Sequence, residues 1–155
     1  SIFLSIEPSK SKNCLKTNYL FTDQSICWAN ESIDGPMDLA ITNNNLYIVS
    51  FGNDLIYIYS IYSYTLLTTF GSNYLTNPQN ILINRYIYIT NYRIDSIAMF
   101  ELSTNEFVRY IYPSIYSIES ILFDSKRNQL VVTSCNNQKL SIYLTNRLDR
   151  EIDSQ

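Results

Sequence analysis

Histidine is absent from this chain of 155 residues, glycine and cysteine occur three times each, and charged residues make up only 16%. Without histidine, Ser-His-Asp and Cys-His nucleophile sets are excluded, and the commonest metal ligand is missing. Three glycines are too few for a glycine-rich phosphate-binding loop. The three cysteines show no CxxC spacing, so they predict neither a disulfide framework nor a zinc site.

Excess positive charge and long apolar runs are also missing. The formal net charge is -3, with no basic stripe that could neutralise phosphates, so we do not expect nucleic-acid binding. No run approaches the roughly 20 apolar residues that cross a bilayer, so we expect no membrane-spanning segment.

What the chain does contain is a pattern that occurs three times at a spacing of about 41 residues. One apolar run of each copy lies at Leu46–Ser50, Ile87–Asn91 and Leu130–Ser134. Fourteen Tyr and seven Phe, together with many β-branched residues, favour strands over helices. Asn and Asp cluster between the runs, and both tolerate the left-handed backbone of tight hairpins. Each copy therefore predicts four short strands joined by turns.

We name the four strands of a copy a to d in chain order. Strand b is the apolar run given above, and in strand c alternate residues such as Ile56 and Ile58 are predicted to share one face of the sheet. Strand a is predicted at Asp38–Ile41, Asn80–Ile83 and Ser120–Phe123, and strand d at Leu66–Phe70, Phe107–Ile111 and Arg150–Asp153. An incomplete copy at the start supplies only strands b, c and d, at Ile2–Ile6, Cys14–Tyr19 and Ser25–Ala29.

Four strands in about 40 residues, with a proline opening strand a at Pro36 and Pro78, predict the blades of a β-propeller. We therefore expect an all-β fold of about three complete four-stranded antiparallel blades plus a partial N-terminal blade. The predicted blades form one domain and comprise residues 1–34 (partial), 35–76, 77–116 and 117–155. A β-sandwich built from the same strands is the structural alternative.

The stretch from Gly35 to Ile56 resembles the NHL and YVTN families of propeller repeats, which carry a Pro-x-x-apolar strand, an apolar-Tyr-Val strand and an Asn/Asp turn. The second copy matches through Pro78, Tyr88, Asn91 and Asp95, whereas the third has Ile118 in place of the proline. Gluconolactonase-like propellers are similar. Because rings of these families have six or seven blades, the resemblance implies three alternatives: a larger propeller, a small four-bladed ring, or a ring completed by another copy.

In such propellers, ligands bind on the face made by the d-to-a and b-to-c connections around the channel. Six polar residues of the b-to-c region form the predicted binding set: Asn53, Asp54, Asn91, Asp95, Asn136 and Asn137. Their oxygen atoms suit a partner or a hard cation such as Ca²⁺, and the gluconolactonase-like resemblance implies such a central metal. Alternatively, these residues only shape turns and bond to the backbone, an interpretation that their regular recurrence favours.

These observations predict a non-enzymatic interaction or scaffold module, without a cofactor, that binds a protein partner through the turns at the channel mouth and exposed aromatic residues. Two alternatives remain open: a metal-dependent lactonase or esterase of the gluconolactonase-like kind, and a structural subunit of a larger assembly. The tyrosine-rich run Tyr57–Tyr64 has two interpretations, a binding platform for sugar or peptide and packing between blades.

Overall fold

The computed structural model describes residues 32–134 completely, and of the remaining chain it describes the backbone of four strands. The strands are β1 (Ile2–Pro8), β2 (Asn13–Tyr19), β3 (Thr22–Cys27), β4 (Pro36–Thr42), β5 (Asn45–Ser50), β6 (Leu55–Ser60), β7 (Leu66–Phe70), β8 (Pro78–Ile83), β9 (Tyr86–Asn91), β10 (Ser96–Glu101), β11 (Phe107–Ile111), β12 (Ile118–Asp124), β13 (Gln129–Ser134) and β14 (Lys139–Leu144). In the part of the chain so described, no helix is long and apolar enough to cross a bilayer.

The strands form four separate antiparallel sheets, each an up-and-down meander. Their orders are β1-β2-β3, β4-β5-β6-β7, β8-β9-β10-β11 and β12-β13-β14. Ile48, Ile89 and Val132 occupy the second strand of three different sheets, as repeated blades require. This confirms the all-β propeller prediction, with two complete four-stranded blades among the described residues.

The predicted bounds agree with the structure for strand d at Leu66–Phe70 and Phe107–Ile111. The first strand of each blade begins earlier than predicted, because Pro36 pairs with Ser50 and Pro78 pairs with Asn91 across a bulge. A bulge adds a residue to one strand without ending the pairing, so simple alternation does not show it. The predicted strand at Arg150–Asp153 lies outside the described residues.

The start of the strand predicted at Ser25–Ala29 is wrong. The structure has β3 at Thr22–Cys27, with Thr22 paired to Tyr19 at the end of β2. Only two residues separate β2 and β3, so the strand begins three residues earlier than the sequence pattern indicated. Pairing with the preceding strand determines this start, and the apolar content of the segment does not.

Consecutive sheets pack face to face through alternate side chains of their middle strands. Ile56 and Ile58 of β6 lie in one apolar cluster with Ala98 and Phe100 of the following sheet. Ile97 and Met99, between these residues of β10, face the opposite way into the cluster shared with β12 and β13. Most of these side chains are fully buried, each contributing on the order of 2 kcal/mol. Stacking of blades therefore supplies the core.

The first strands of the blades lie beside one another and form the inner edge of the stack. Asp38 on β4 links two of them, because its Oδ2 accepts a hydrogen bond from the backbone N–H of Ile81 on β8 at 2.9 Å. Its Oδ1 accepts from its neighbour Leu39 at 2.8 Å. The outer strands β7 and β11 lie three strands away from this edge. The blades thus radiate from an axis lined by β4, β8 and β12.

Candidate functional site

The b-to-c turns and the d-to-a connections meet at one end of the blades, which we call the turn face. It comprises residues 32–35, 51–54, 71–77, 92–95 and 112–117. Two backbone bonds hold its first part together: Phe51 N–H donates to Gly35 O at 3.0 Å, and Gly52 N–H donates to Asp34 O at 2.9 Å. The turn face is therefore a hydrogen-bonded surface, and its connections are not independent loops.

The last residue of strand b fastens the connection that leads into its own blade. Ser50 Oγ accepts from Asp34 N–H at 3.0 Å and donates to Asp34 O at 2.8 Å. At the same position of the next blade, Asn91 Oδ1 accepts from Thr76 N–H at 3.0 Å, and Asn91 Nδ2 donates to Tyr74 O at 3.3 Å. Ser50 and Asn91 are completely buried. Asn91 therefore supports the loop, and its side chain has no exposed surface.

Asp54 and Asp95 fasten each blade to the next one. Asp54 Oδ1 accepts from Asn77 N–H, and Asp95 Oδ1 accepts from Ser117 N–H, both at 2.6 Å. Both aspartates have left-handed backbone, with φ of 57° and 47°, which Asp tolerates better than most residues. We call these two contacts the inter-blade clasps. One such contact leaves each of the two completely described blades, and the two aspartates are 41 residues apart, in register with the sequence repeat.

Asn53 binds the connection that enters its own blade. Its Nδ2 donates to Ser32 O at 2.7 Å and to Tyr57 Oη at 2.9 Å, and Tyr57 Oη donates to the same carbonyl at 2.7 Å. The structure thus brings Asn53, Asp54, Asn91 and Asp95 to one face, where all four bind the protein's own backbone. Asn136 and Asn137 lie outside the described residues. Across the described residues, no group of three or more His, Cys, Asp or Glu side chains could hold a metal ion.

Large apolar side chains on the turn face point into solvent. The exposed fractions are 42% for Tyr92, 40% for Ile94 and 65% for both Tyr112 and Tyr116. Residues 92–94 are not among the site residues predicted from the sequence. The missed signal is the presence of Tyr and Ile at turn positions, because the same turn of the preceding blade reads Phe51-Gly52-Asn53.

An aromatic cleft of about 490 Å³ opens between the second and third blades. It is lined by the connection that follows β7 and by the hairpin that joins β10 to β11: Phe70, Gly71, Ser72, Asn73, Tyr74, Phe100, Asn105, Glu106 and Phe107. Tyr74 and Phe107 stack with ring centroids 4.2 Å apart and planes 3° from parallel. Phe70 meets Phe100 edge to face at 5.0 Å. The cleft is thus lined by four aromatic rings and by five small or polar residues.

Tyr110 supports one wall of the cleft through a hydrogen bond. Its hydroxyl donates to Tyr74 O at 2.8 Å. Burial raises the pKa of this hydroxyl, and the neighbouring Tyr112 and Tyr74 raise the pKa further. The phenol therefore remains a donor at neutral pH and keeps Tyr74 in place.

The tyrosines of the run Tyr57–Tyr64 differ in exposure, which bears on whether the run packs or forms a binding platform. Tyr57 and Tyr59 are 3% exposed and pack in a buried cluster with Leu46 and Ile48 of the same sheet, so both are core residues and offer no binding platform. Tyr62 is 74% exposed and donates from Oη to Asn44 Oδ1 at 3.2 Å, at the opposite end from the turn face.

No protein-family model and no curated protein sequence matches the chain. Solved structures do match. A chain of the nidogen/laminin complex is 17% identical with a TM-score of 0.68, covering 84% of this chain and 53% of its own length. The WD40 β-propeller domain of Doa1 is 17% identical with a TM-score of 0.62, over 87% of this chain and 48% of its own. The computationally designed Ika4 protein is 10% identical with a TM-score of 0.67, over 91% and 84%.

At these identities the likeness shows the fold alone. The chain has an all-β propeller fold, and it spans about half the length of the nidogen/laminin and Doa1 chains that it resembles.

Proposed function

We propose that this chain is a non-enzymatic interaction or scaffold module that binds a protein partner through its turn face. The observation that carries the proposal is the exposure of Tyr92, Ile94, Tyr112 and Tyr116 on that one face. Tyrosine is enriched where proteins bind one another, because it combines a large apolar ring with a polar tip.

The polar residues of the turn face support this role indirectly. Asn53, Asp54, Asn91 and Asp95 bond to backbone groups of the connections, so the exposed side chains project from fixed loops. A surface that is already ordered loses less conformational entropy on binding than a mobile loop does. The predicted binding set is thus proposed to hold the recognition surface in place, and the aromatic side chains are proposed to make the contacts.

Two further points favour an interaction module. One of the structures that this chain resembles belongs to a complex of two proteins, nidogen and laminin, and another is a WD40 propeller domain.

We also retain the NHL or YVTN type as the proposed class of repeat, on the residues Pro78, Tyr88, Asn91 and Asp95.

We further propose that another blade covers the far face of the fourth sheet. Leu122 on β12 is 55% exposed. Its equivalents in the two preceding blades, Ala40 and Leu82, pack against the sheet that follows. The same position is therefore apolar in all three blades and covered in two of them. The covering blade would come from a longer chain or from another copy.

The experiment is selection of peptides from a phage-displayed library on the immobilised chain, followed by binding of the selected peptides to variants. The triple variant Y92A/I94A/Y116A should lose at least about tenfold in affinity for most selected peptides, since aromatic anchors each contribute about 1–2 kcal/mol or more. The matched control, Y62A/L67A, removes exposed apolar side chains away from the turn face and should bind as the parent does. Equal binding by the triple variant would refute the proposal.

A further inference from the structure

The outer edge of β7 is unpaired, apolar and without charge. β7 is the last strand of its sheet, so the N–H and C=O groups of alternate residues point away from β6, and none of the described strands pairs with them. Four of its five residues are exposed, including Leu66 at 41% and Leu67 at 52%. No charged residue occurs between Asp54 and Arg85 in the sequence. An exposed apolar strand edge of this kind is a template for pairing with another strand.

The other described outer strands, β3 and β11, each carry a charged residue. The pairing registers align Thr68 at the middle of β7 with Arg109 at the middle of β11, and no residue of β11 is more than partly exposed. β3 contains Asp23. β7 and β11 have a bulge at the same place, so the difference between them lies in the side chains. Charged residues on edge strands oppose pairing between molecules, and β7 lacks this protection.

The edge of β7 is complementary to itself. Antiparallel pairing with β7 of a second copy over all five residues places a two-fold axis at Thr68. Leu66 then lies opposite Phe70 of the second copy, and Thr68 lies opposite Thr68 of the second copy; an apolar pair and a threonine pair both stabilise adjacent strands. The same arrangement of β11 would place Arg109 opposite Arg109, and like charges directly opposite are destabilising.

Two exposed tyrosines flank β7 symmetrically. Tyr62 lies six residues before Thr68 and Tyr74 lies six residues after it, and their exposed fractions are 74% and 40%. Tyr62 donates from Oη to Asn44 Oδ1 at 3.2 Å, and the Tyr74 ring stacks on Phe107 at 4.2 Å, so both side chains are already ordered. Antiparallel pairing brings Tyr62 of one copy to the end of the strand where Tyr74 of the other lies. The tyrosines therefore extend the contact at little cost in conformational entropy.

We propose that β7 pairs with β7 of a second copy, joining two blades into one eight-stranded sheet across a two-fold axis. The association stops at a dimer, because a two-fold contact uses the same edge of both copies. Five strand residues and two tyrosines from each copy are fewer than the roughly 20–30 residues of a standard interface, so we expect a reversible dimer with Kd on the order of 10–100 μM. The contact uses none of the four side chains on which the proposed function rests, so it stands or falls independently of that function.

The test is sedimentation velocity of the full chain at concentrations from about 1 to 300 μM, a range that brackets the expected Kd. The wild type should change from monomer to dimer across this range. The variants T68K and T68E each place two like charges opposite each other at the two-fold axis, so each should raise Kd at least about tenfold. An equimolar mixture of T68K and T68E should form a dimer again, because the two introduced charges are then opposite in sign and lie opposite each other.

The matched control is T133K, which makes the same substitution at an exposed residue of β13 and should form a dimer as the wild type does. Hydrogen exchange gives a second readout: amides of residues 66–70 should gain protection as the wild-type concentration rises, and amides of β11 should not. The urea midpoint of T68K should equal that of the wild type, because β11 carries Arg109 at the same position.

Four results would overturn the proposal. They are a wild type that stays monomeric at 300 μM, a mixture of T68K and T68E that stays monomeric while the wild type forms a dimer, a dimer that T133K abolishes and T68K retains, and protection that appears outside residues 66–70 alone. The third result would place the contact on the fourth sheet instead of β7.

Discussion

The inter-blade clasp at Asp54 allows the sharpest test of how the blades are held together. Replacing Asp54 with Ala removes the acceptor that lies 2.6 Å from the Asn77 N–H. A hydrogen bond to a charged group contributes about 1.5–3 kcal/mol. Alanine in left-handed backbone costs a further 1–2 kcal/mol or so, and φ here is 57°. Because Asp54 is only half-buried, the hydrogen bond contributes at the lower end of its range, about 1.5–2 kcal/mol, and with the backbone term we expect a total loss of about 2.5–4 kcal/mol.

Two further substitutions at Asp54 separate these contributions. In D54N an acceptor oxygen remains and the left-handed backbone is tolerated, so the loss should stay near or below about 1 kcal/mol. In D54G the acceptor is lost but the backbone strain is relieved, so the loss should be about 1.5–2 kcal/mol. The same order is expected at Asp95, whose partner is Ser117. Because the two clasps lie at different junctions, the effects of D54A and D95A should add to within about 0.5 kcal/mol.

Urea denaturation followed by tyrosine fluorescence and by circular dichroism measures these losses, provided that the two transitions coincide. The expected order of stability is wild type, D54N, D54G and then D54A. If D54A lies within about 0.5 kcal/mol of wild type, the clasp contributes little and the reasoning is refuted. If D54N is as unstable as D54A, the charge and not the geometry determines the contact.

Two other predictions use the same denaturation and thermal assays. G71A should destabilise the protein by about 2–4 kcal/mol, because Gly71 has φ of 102° and a Cβ would collide with the buried Leu75 side chain. In the control variant G52A, the Cβ would meet only the exposed carboxylate of Asp34, so the loss should be less than about 1 kcal/mol. The reverse order of stability would contradict this account. Calcium added at about 5 mM to protein treated with a chelator should leave Tm unchanged within about 1 °C, while a Tm that rises with calcium concentration, or hydrolysis of a lactone, would favour the gluconolactonase-like alternative.

The strands were predictable from the sequence because successive side chains of a strand point alternately to the two faces of its sheet. On β10, Ile97 and Met99 face one neighbouring sheet while Ala98 and Phe100 face the other, so both halves of the alternation are apolar and the strand is buried throughout. The same requirement acts on every middle strand, which makes the repeat visible. The bulges at Pro36 and Pro78 were not predictable, because they depend on pairing with the adjacent strand.

The roles of the turn residues were harder to predict. An Asp in a tight turn is expected to bond to its own turn, yet Asp54 binds the backbone of Asn77, 23 residues further along the chain. The contact exists only because the next blade lies beside the turn. The aromatic cleft likewise combines residues 70–74 with residues 100–107, and their separation depends on the angle between two sheets. Such features follow from tertiary packing and leave no local pattern.

Some residues recur at the same position in successive blades and others differ from blade to blade, and this distinction indicates where binding specificity resides. The inter-blade clasps occur in both of the completely described blades, where they join one blade to the next, so they carry no information about a partner. Tyr92 and Ile94 on the turn face occupy positions where the preceding blade has Phe51 and Asn53. An exposed aromatic residue that the fold does not need costs solubility and contributes nothing to the core. Recognition is therefore best sought at the positions where one blade departs from the next.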